Sequence, residues 1–296
     1  MMRRSRWATR RFCRELCGLT AALLLCSAPL HVRGEDGAEK IEKVEKPDER
    51  LAEKRLEVMR DYARGLKFRA AVRDWPKQVE PTPIFRYDDQ TRGYVDGTVW
   101  RLGAKGRPLA IITDELHPNY LGGGPRVIYD LLSLTPQPFQ LEGKGISWSP
   151  RGSAVEMKGL PNAPVPANTA AGRLSQIKAL SQRFSATQDL EETDRVLVHL
   201  RRLPREIDRY VPIPDSGEEP AANADGGIFL FVNGRNPSII LLIETDGTAW
   251  QYGAGRLSLP STLTLQLDDA DVWKVRAREY GANGSYSATN VTAEFP

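Results

Sequence analysis

Thr262-Leu263-Thr264-Leu265-Gln266-Leu267 alternates polar and apolar side chains without a break. A period of two puts one face of the segment on a core and leaves the other wet, the pattern of a half-buried strand. Upstream, Ser238–Glu244 contains Ile239-Ile240-Leu241-Leu242-Ile243, apolar on both parities. That composition reads as a central strand covered on both sides. A doubly covered strand and a wet-faced one in the same region call for stacked layers, so the chain is read as β-rich.

Working outward, short β-like runs split by Gly, Pro, Asp and Asn continue in both directions. Candidate strands are Ile84–Tyr87, Thr98–Leu102, Pro108–Asp114, Arg126–Leu134, Arg195–Leu203, Ile228–Val232, Thr248–Tyr252 and Val272–Arg278. Pro138–Leu141 and Gly145–Trp148 are weaker members of the series. Proline-rich breaks fall at Leu160–Pro166 and Pro212–Gly227. Between the two breaks, Leu174, Ile177, Leu180 and Phe184 recur at helical spacing and predict one inner helix over 169–185, with Asn168 as its N-cap. A second helix is predicted over 47–67. Pro47 suits its first position, Asp48 and Glu49 its positive first turn, and Leu51, Val58, Met59, Tyr62 and Leu66 make one apolar side. The expected class is α+β: antiparallel sheets, sandwich-like or a meander, with one inner helix and an N-terminal helical arm.

One phrase recurs. Asp96-Gly97-Thr98-Val99-Trp100 is followed by Gly103-Ala104-Lys105-Gly106-Arg107, and Asp246-Gly247-Thr248-Ala249-Trp250 by Gly253-Ala254-Gly255-Arg256, 150 positions on. A looser relative is Asp225-Gly226-Gly227-Ile228-Phe229, with Gly234-Arg235-Asn236-Pro237 after it. Asp-Gly and Gly-Xaa-Gly supply turn conformations at low cost, so recurrence of hairpin chemistry is the simplest explanation. Duplication of a half-domain is the alternative. A propeller is disfavoured because its blades repeat every 40 to 50 residues or so.

The 296 residues carry 41 Lys+Arg and 38 Asp+Glu, a net charge of +3, but the excess is local. Residues 1–34 hold seven arginines, one acid and all three cysteines, which leaves a net of −3 from Glu35 onward. An arginine-rich start followed by the short apolar run Leu16–Leu25 has the form of an export signal, too short to span a bilayer. An uncleaved anchor, a twin-arginine signal through Arg10-Arg11 and a lipoprotein box ending at Cys26 fit less well. The expected layout is a signal peptide over 1–34, a disordered charged segment over 35–46, a helical arm over 47–78 and a β-rich domain over 79–296, divisible into halves at 79–167 and 186–296. The mature chain lacks thiols, so it has no disulfide, thiolate metal site or cysteine nucleophile. Its slight acidity argues against a nucleic-acid partner, and it contains no apolar run long enough to cross a membrane.

Few constellations carry chemistry. Thr113-Asp114-Glu115-Leu116-His117 places two acids close to a histidine at a strand end, which makes Asp114, Glu115 and His117 the catalytic candidates. Glu244 or Asp246 could join them from a later hairpin. His199 alternates with apolar neighbours and reads as a strand histidine. Asp268-Asp269-Ala270-Asp271 lacks the spacing and glycine of a calcium loop and reads as a turn. Ser175-Gln176-Ile177-Lys178 has a Ser-Lys spacing without the companion motifs of an acylating enzyme. Gly122-Gly123-Gly124 lacks the lysine of a phosphate loop. No metal and no cofactor is implied. Trp100, Trp250 and Tyr252 are the ligand-platform candidates, although their place inside strands favours core packing.

Ile84-Phe85-Arg86-Tyr87, Gly97-Thr98-Val99-Trp100, Gly106-Arg107-Pro108, Trp148-Ser149-Pro150-Arg151, Leu241-Leu242-Ile243-Glu244 and Asp271-Val272-Trp273 carry a resemblance over about residues 80–275. Through these phrases the mature body resembles a family of secreted bacterial proteins of unknown function. The resemblance implies export and no known activity, cofactor or catalytic residue. The expectation is an exported protein of the periplasm, cell envelope or extracellular space. It would act as a non-catalytic binding or structural domain with a ligand in that compartment, or else as a hydrolase built on the 114–117 cluster.

Overall fold

A computed structural model describes residues 47–70, 81–89, 93–103, 105–190, 196–213 and 219–293. The expected export signal and the charged segment 35–46 lie outside these residues.

The first helix, α1 (Pro47–Arg64), is followed by β1 (Lys67–Ala70), β2 (Thr82–Asp89), β3 (Tyr94–Leu102), β4 (Ala110–His117), β5 (Arg126–Ser133), β6 (Phe139–Gly143), β7 (Ile146–Trp148) and β8 (Lys158–Gly159). Then come α2 (Ala170–Ser181), β9 (Phe184–Leu190), β10 (Val196–Arg202), β11 (Asp208–Tyr210), β12 (Asp225–Asn233), β13 (Asn236–Thr245), β14 (Trp250–Arg256), β15 (Thr262–Leu267), β16 (Ala270–Val275) and β17 (Tyr286–Thr292). Every described strand pairing is antiparallel, and the protein is α+β and β-rich.

Two helix limits differ from expectation. The arm stops being helical at Arg64, because Lys67–Ala70 leaves the helix to pair with Phe139–Glu142, a partner invisible to local periodicity. The inner helix starts one residue later, with the Thr169 hydroxyl rather than Asn168 accepting from the Gly172 amide at 3.1 Å. It ends at Ser181, because Phe184 opens β9 and pairs with Leu267.

Five strands form one sheet in the order β17-β5-β4-β3-β2. Nine form a second, in the order β16-β15-β9-β10-β12-β13-β14-β8 with β11 beside β12, and β1-β6-β7 form a third. Val99, Ile111 and Leu132 of the five-stranded sheet share a core with Ile228, Ile240 and Leu242 of the large one. The outer face of the five strands, through Trp100, Ile112 and Tyr129, packs under α1 and the small sheet. The outer face of β12–β14, through Phe229, Leu241 and Tyr252, packs under α2 and the apolar faces of β9 and β15. Ile239–Ile243 is thus covered on both sides, and Leu263, Leu265 and Leu267 are buried between wet Thr262, Thr264 and Gln266.

The strand registers reveal a second level of order. Tyr87, Gly97 and Glu115 lie across β2, β3 and β4; Tyr210, Gly226 and Glu244 lie identically across β11, β12 and β13. Asp96–Glu115 and Asp225–Glu244 match without a gap, 129 positions apart, with Asp-Gly at the start, Pro108 against Pro237 and the glutamates at the end. Ile84-Phe85-Arg86-Tyr87 matches Ile207-Asp208-Arg209-Tyr210. Buried Asp96 is held by Arg55 of α1 and Arg86 of β2, and buried Asp225 by Arg173 of α2 and Arg209 of β11. Arg86 also donates to the Ala52 carbonyl at 2.6 Å, and Arg209 to the Ala170 carbonyl at 2.8 Å. The protein therefore folds as two copies of one helix-and-strand unit around the shared core. Each unit lends a strand to the other: β8 of the first pairs with β14, and β17, at the end of the second, pairs with β5.

The duplication does not follow the phrase most alike in sequence. Asp96–Trp100 lies inside β3, whereas Asp246 opens a turn, its carboxylate accepting from the Thr248 and Ala249 amides at 2.8 and 3.3 Å. The expected strand at Thr248 accordingly begins at Trp250. The looser relative, Asp225–Phe229, is the true counterpart.

Candidate functional site

Alternation along β4 divides the expected catalytic cluster. Ile112 and Leu116 face the core under α1, and Asp114 between them faces the same way, fully buried. Glu115 and His117 face the opposite side, where they line a cleft of about 970 Å³. Asp114 therefore does not join them. Its two carboxylate oxygens make no hydrogen bond of good geometry, and burial pushes the carboxyl well above the usual carboxylate range, with the nearby Trp100 indole and Thr98 backbone opposing that rise. Burial thus favours the protonated form of Asp114.

Glu115 and His117 do meet. His117 Nε2 lies 3.2 Å from Glu115 Oε2, and the imidazole sits between the rings of Tyr94 and Tyr120, with centroids 5.4 Å away on each side. The other carboxylate oxygen of Glu115 accepts from Asn236 Nδ2 at 3.1 Å and from the Tyr87 hydroxyl at 3.4 Å. Burial and the Glu115 charge raise the Tyr87 phenol well above its usual value, so it remains a donor.

A third group comes from β5. Asp130 pairs in register with Thr113, so its side chain shares the Glu115 face of the sheet and lines the same cleft. The Tyr286 hydroxyl donates to one oxygen and the Thr113 hydroxyl to the other at 3.4 Å. Burial pushes the Asp130 carboxyl up to about 7, and Tyr286, Arg256 and Thr113 only moderate the rise, to which the charge of Glu115 adds. The site thus pairs an acid whose protonated form is favoured by burial with a glutamate held by three donors or ring nitrogens.

The walls are fixed by buried polar side chains. The Arg256 guanidinium donates to the Ser258, Leu259, Ser261, Arg276 and Glu279 carbonyls at 2.6 to 3.2 Å, tying two loops together beside the cleft. Gln188 donates to the Ser261 hydroxyl at 2.7 Å and accepts from Ser238 and Asn233 at 3.0 and 3.2 Å. At the rim, Tyr280 and Leu121 are 56 % and 90 % exposed. These wall positions have no local sequence signal. Asp130 does have one: it is the only acid inside the apolar run Val127–Leu132.

The remaining candidates lie elsewhere. Trp100 is buried under α1, and Trp250 and Tyr252 under α2, so none of them lines the cleft. Glu244 forms an ion pair with Arg107 and accepts from Tyr210 at 2.7 Å. Asp246 caps its turn. His199 is exposed on β10. Asp268 pairs with Arg183, and Asp271 accepts from Gln266 at 2.8 Å, which leaves the triple-acid stretch as the β15–β16 turn. Ser175 donates to the Ala171 carbonyl at 3.1 Å and Lys178 pairs with Glu206, so no Ser-Lys pair forms. Among the described residues no three His, Cys, Asp or Glu side chains converge as metal ligands, and no helix is long and apolar enough to cross a membrane.

The duplication singles this site out. Arg107 of the first unit reaches across to Glu244 of the second, and the equivalent residue of the second unit, Asn236, reaches back to Glu115. One glutamate is neutralised by a guanidinium; the other is met by a neutral amide and opens on the cleft. No protein-family model, no curated protein and no solved structure matches the chain.

Proposed function

We propose that the chain is an exported, extracytoplasmic binding protein whose ligand seat is the cleft over Glu115, His117 and Asp130, and whose ligand is a neutral or amino-sugar saccharide. The observation that carries this reading is the broken symmetry between Asn236 at Glu115 and Arg107 at Glu244. A scaffold that already has a way to close its glutamate leaves it open where a pocket of ligand size lies above it. Two carboxyl groups repel an anionic ligand. Rim rings such as Tyr120 and Tyr280 offer apolar faces to the C–H side of a sugar, while Ser258 and Asn290 offer hydrogen bonds to hydroxyl groups. Export is supported by the arginine-rich, thiol-bearing leader ahead of a slightly acidic mature chain.

The binding test is calorimetric titration of cellohexaose, xylohexaose, mannohexaose, laminarihexaose and chitohexaose into the mature chain, with Tyr120→Ala and His117→Ala alongside. Saturable binding of at least one sugar, weakened by both substitutions, is the expected result. Silence from all five, or binding indifferent to both substitutions, refutes the reading. Export is tested by N-terminal sequencing of the protein recovered outside the cytoplasm; an intact Met1 found only inside refutes it.

A further inference from the structure

We propose that the same cleft hydrolyses the glycosidic link of its saccharide, with Asp130 as general acid and Glu115 as general base. This rests on the saccharide reading above and adds a reaction to it.

The geometry comes from the strand register. Thr113 lies opposite Asp130, and Glu115 is two residues further along the same face of β4. The two acids are therefore diagonal cross-strand neighbours, with backbones roughly 7–8 Å apart. Two carboxyl groups side by side on one face of a single cleft can flank a glycosidic bond, one giving a proton to the leaving oxygen and the other taking one from a water. Acetal cleavage suits this pair because it needs a proton on the leaving oxygen and a base on the water; it needs no oxyanion hole and no activated nucleophile.

The environments of the two acids are set for different roles. Burial and the nearby Glu115 charge favour the protonated form of Asp130, against the Tyr286 hydroxyl that donates to one oxygen and the Thr113 hydroxyl that meets the other only at 3.4 Å. Glu115 is held on one oxygen by Asn236 and Tyr87, so the oxygen facing His117 is the one left to take a proton from water. His117 acts as a positioning residue for that oxygen. The second unit is an internal control. At the places of Asp130 and His117 it carries Gly253 and Asp246, and its Glu244 is met by Arg107 of the first unit where Glu115 is met by Asn236, so Glu244 has no acid partner on the neighbouring strand and is paired with a cation.

In the reaction, Asp130 gives its proton to the glycosidic oxygen, and the bond from that oxygen to the anomeric carbon breaks with its electron pair staying on the oxygen. A water attacks the opposite face of the anomeric carbon as Glu115 takes its proton. Asp130 leaves the step ionised and Glu115 protonated, and exchange with solvent resets both. The net change is one glycoside plus one water giving two sugars, with the new reducing end inverted.

The experiment follows the same five hexasaccharides with the mature chain, measuring reducing ends and the anomeric configuration of the first product by NMR, alongside the binding titration. The expected result is cleavage of a sugar that binds, with inversion. Asp130→Asn and Glu115→Gln each lower the rate at saturating sugar by about 100-fold or more, a loss read separately from any weakening of binding in the titration. Binding without new reducing ends overturns the catalytic proposal and leaves the binding reading intact. Absence of both overturns both. Cleavage that survives Asp130→Asn, or a product of retained configuration, overturns the assignment of roles. Should Glu115→Gln fail to fold, Asn236→Arg puts a cation on Glu115 in its place, and undiminished cleavage by that variant overturns the proposal.

Discussion

Asn236 donates to Glu115 across the junction of the two units at 3.1 Å, in the place where the other unit carries Arg107 on Glu244. The pair predicts what each exchange does. Asn236→Arg supplies Glu115 with a cation, as Arg107 does for Glu244, and fills the floor of the cleft. Sugar binding in the calorimeter is expected to fall at least tenfold with the melting temperature held or raised. Arg107→Asn leaves Glu244 buried beside Tyr210 with no cation, and because Arg107 is partly solvated the expected cost is about 1–3 kcal/mol in urea unfolding. A stable Arg107→Asn protein with impaired binding would contradict the division of labour between the two glutamates.

Asp130 makes stability depend on pH. Its carboxyl is raised from the ordinary value of 3.8 to about 7 in the folded chain. A group whose folded value is raised contributes stability that is complete below the unfolded value and is lost as pH climbs through the folded one. The loss therefore runs between about pH 4 and 7 and leaves a constant penalty above that range, on the order of a few kcal/mol. Asp130→Asn keeps an acceptor for Tyr286 and cannot ionise. It is expected to gain stability at pH 8 and little at pH 4 in urea titrations. Asp114, raised in the same direction, leaves a residual slope in the variant.

The strands were legible in the sequence wherever a period of two or a doubly apolar run survived, as in Thr262–Leu267 and Ile239–Ile243. Strands defined by a distant partner were not. Lys67–Ala70 continues the charge pattern of the helix before it, Phe184–Leu190 hides behind a helical spacing of Leu174, Ile177 and Leu180, and Tyr286–Thr292 is largely polar because it borders the five-stranded sheet. The duplication was blurred for a related reason. The turn chemistry of Asp246-Gly247-Thr248 imitates the strand Asp96-Gly97-Thr98 more closely than its real counterpart does. For the site, sequence proximity grouped Asp114, Glu115 and His117, whereas on the strand Glu115 and His117 share one face and Asp114 lies on the other, since neighbouring strand residues face opposite ways. Asp130 and Asn236 reach the cleft through register, which no local window contains.

Each helix is latched to its sheet by an arginine on a buried aspartate, and the two latches are unequal. Arg173 lies 3.1 Å from Asp225 and is 8 % exposed, whereas Arg55 lies 3.5 Å from Asp96 and is 22 % exposed. Removing either leaves one arginine on the aspartate, Arg209 or Arg86. Arg173→Ala is expected to cost about 2–3 kcal/mol and Arg55→Ala about 1, with solvent screening accounting for the difference. Thermal unfolding of both variants gives the ranking. Equal losses would mean that helix packing, and not the ion pair, sets the cost.

Gly97 and Gly226 occupy the same place in the two units, and a methyl group on either meets a tyrosine ring. A Cβ on Gly97 would lie 2.6 Å from the Tyr87 ring, and one on Gly226 2.8 Å from the Tyr210 ring. Both contacts are too close for a packed core to absorb without moving the ring, so each substitution to alanine is expected to cost about 1–3 kcal/mol. Their functional consequences separate. Displacing Tyr87 removes a donor from Glu115 in the open cleft, while displacing Tyr210 disturbs only the closed Glu244 pair. Gly97→Ala should therefore lose sugar binding and stability together, and Gly226→Ala stability alone. Calorimetric titration below the melting temperature of both variants distinguishes the two. Equal loss of binding in Gly226→Ala would show that the second unit shapes the cleft through the shared core, and that the two glutamate sites are not independent.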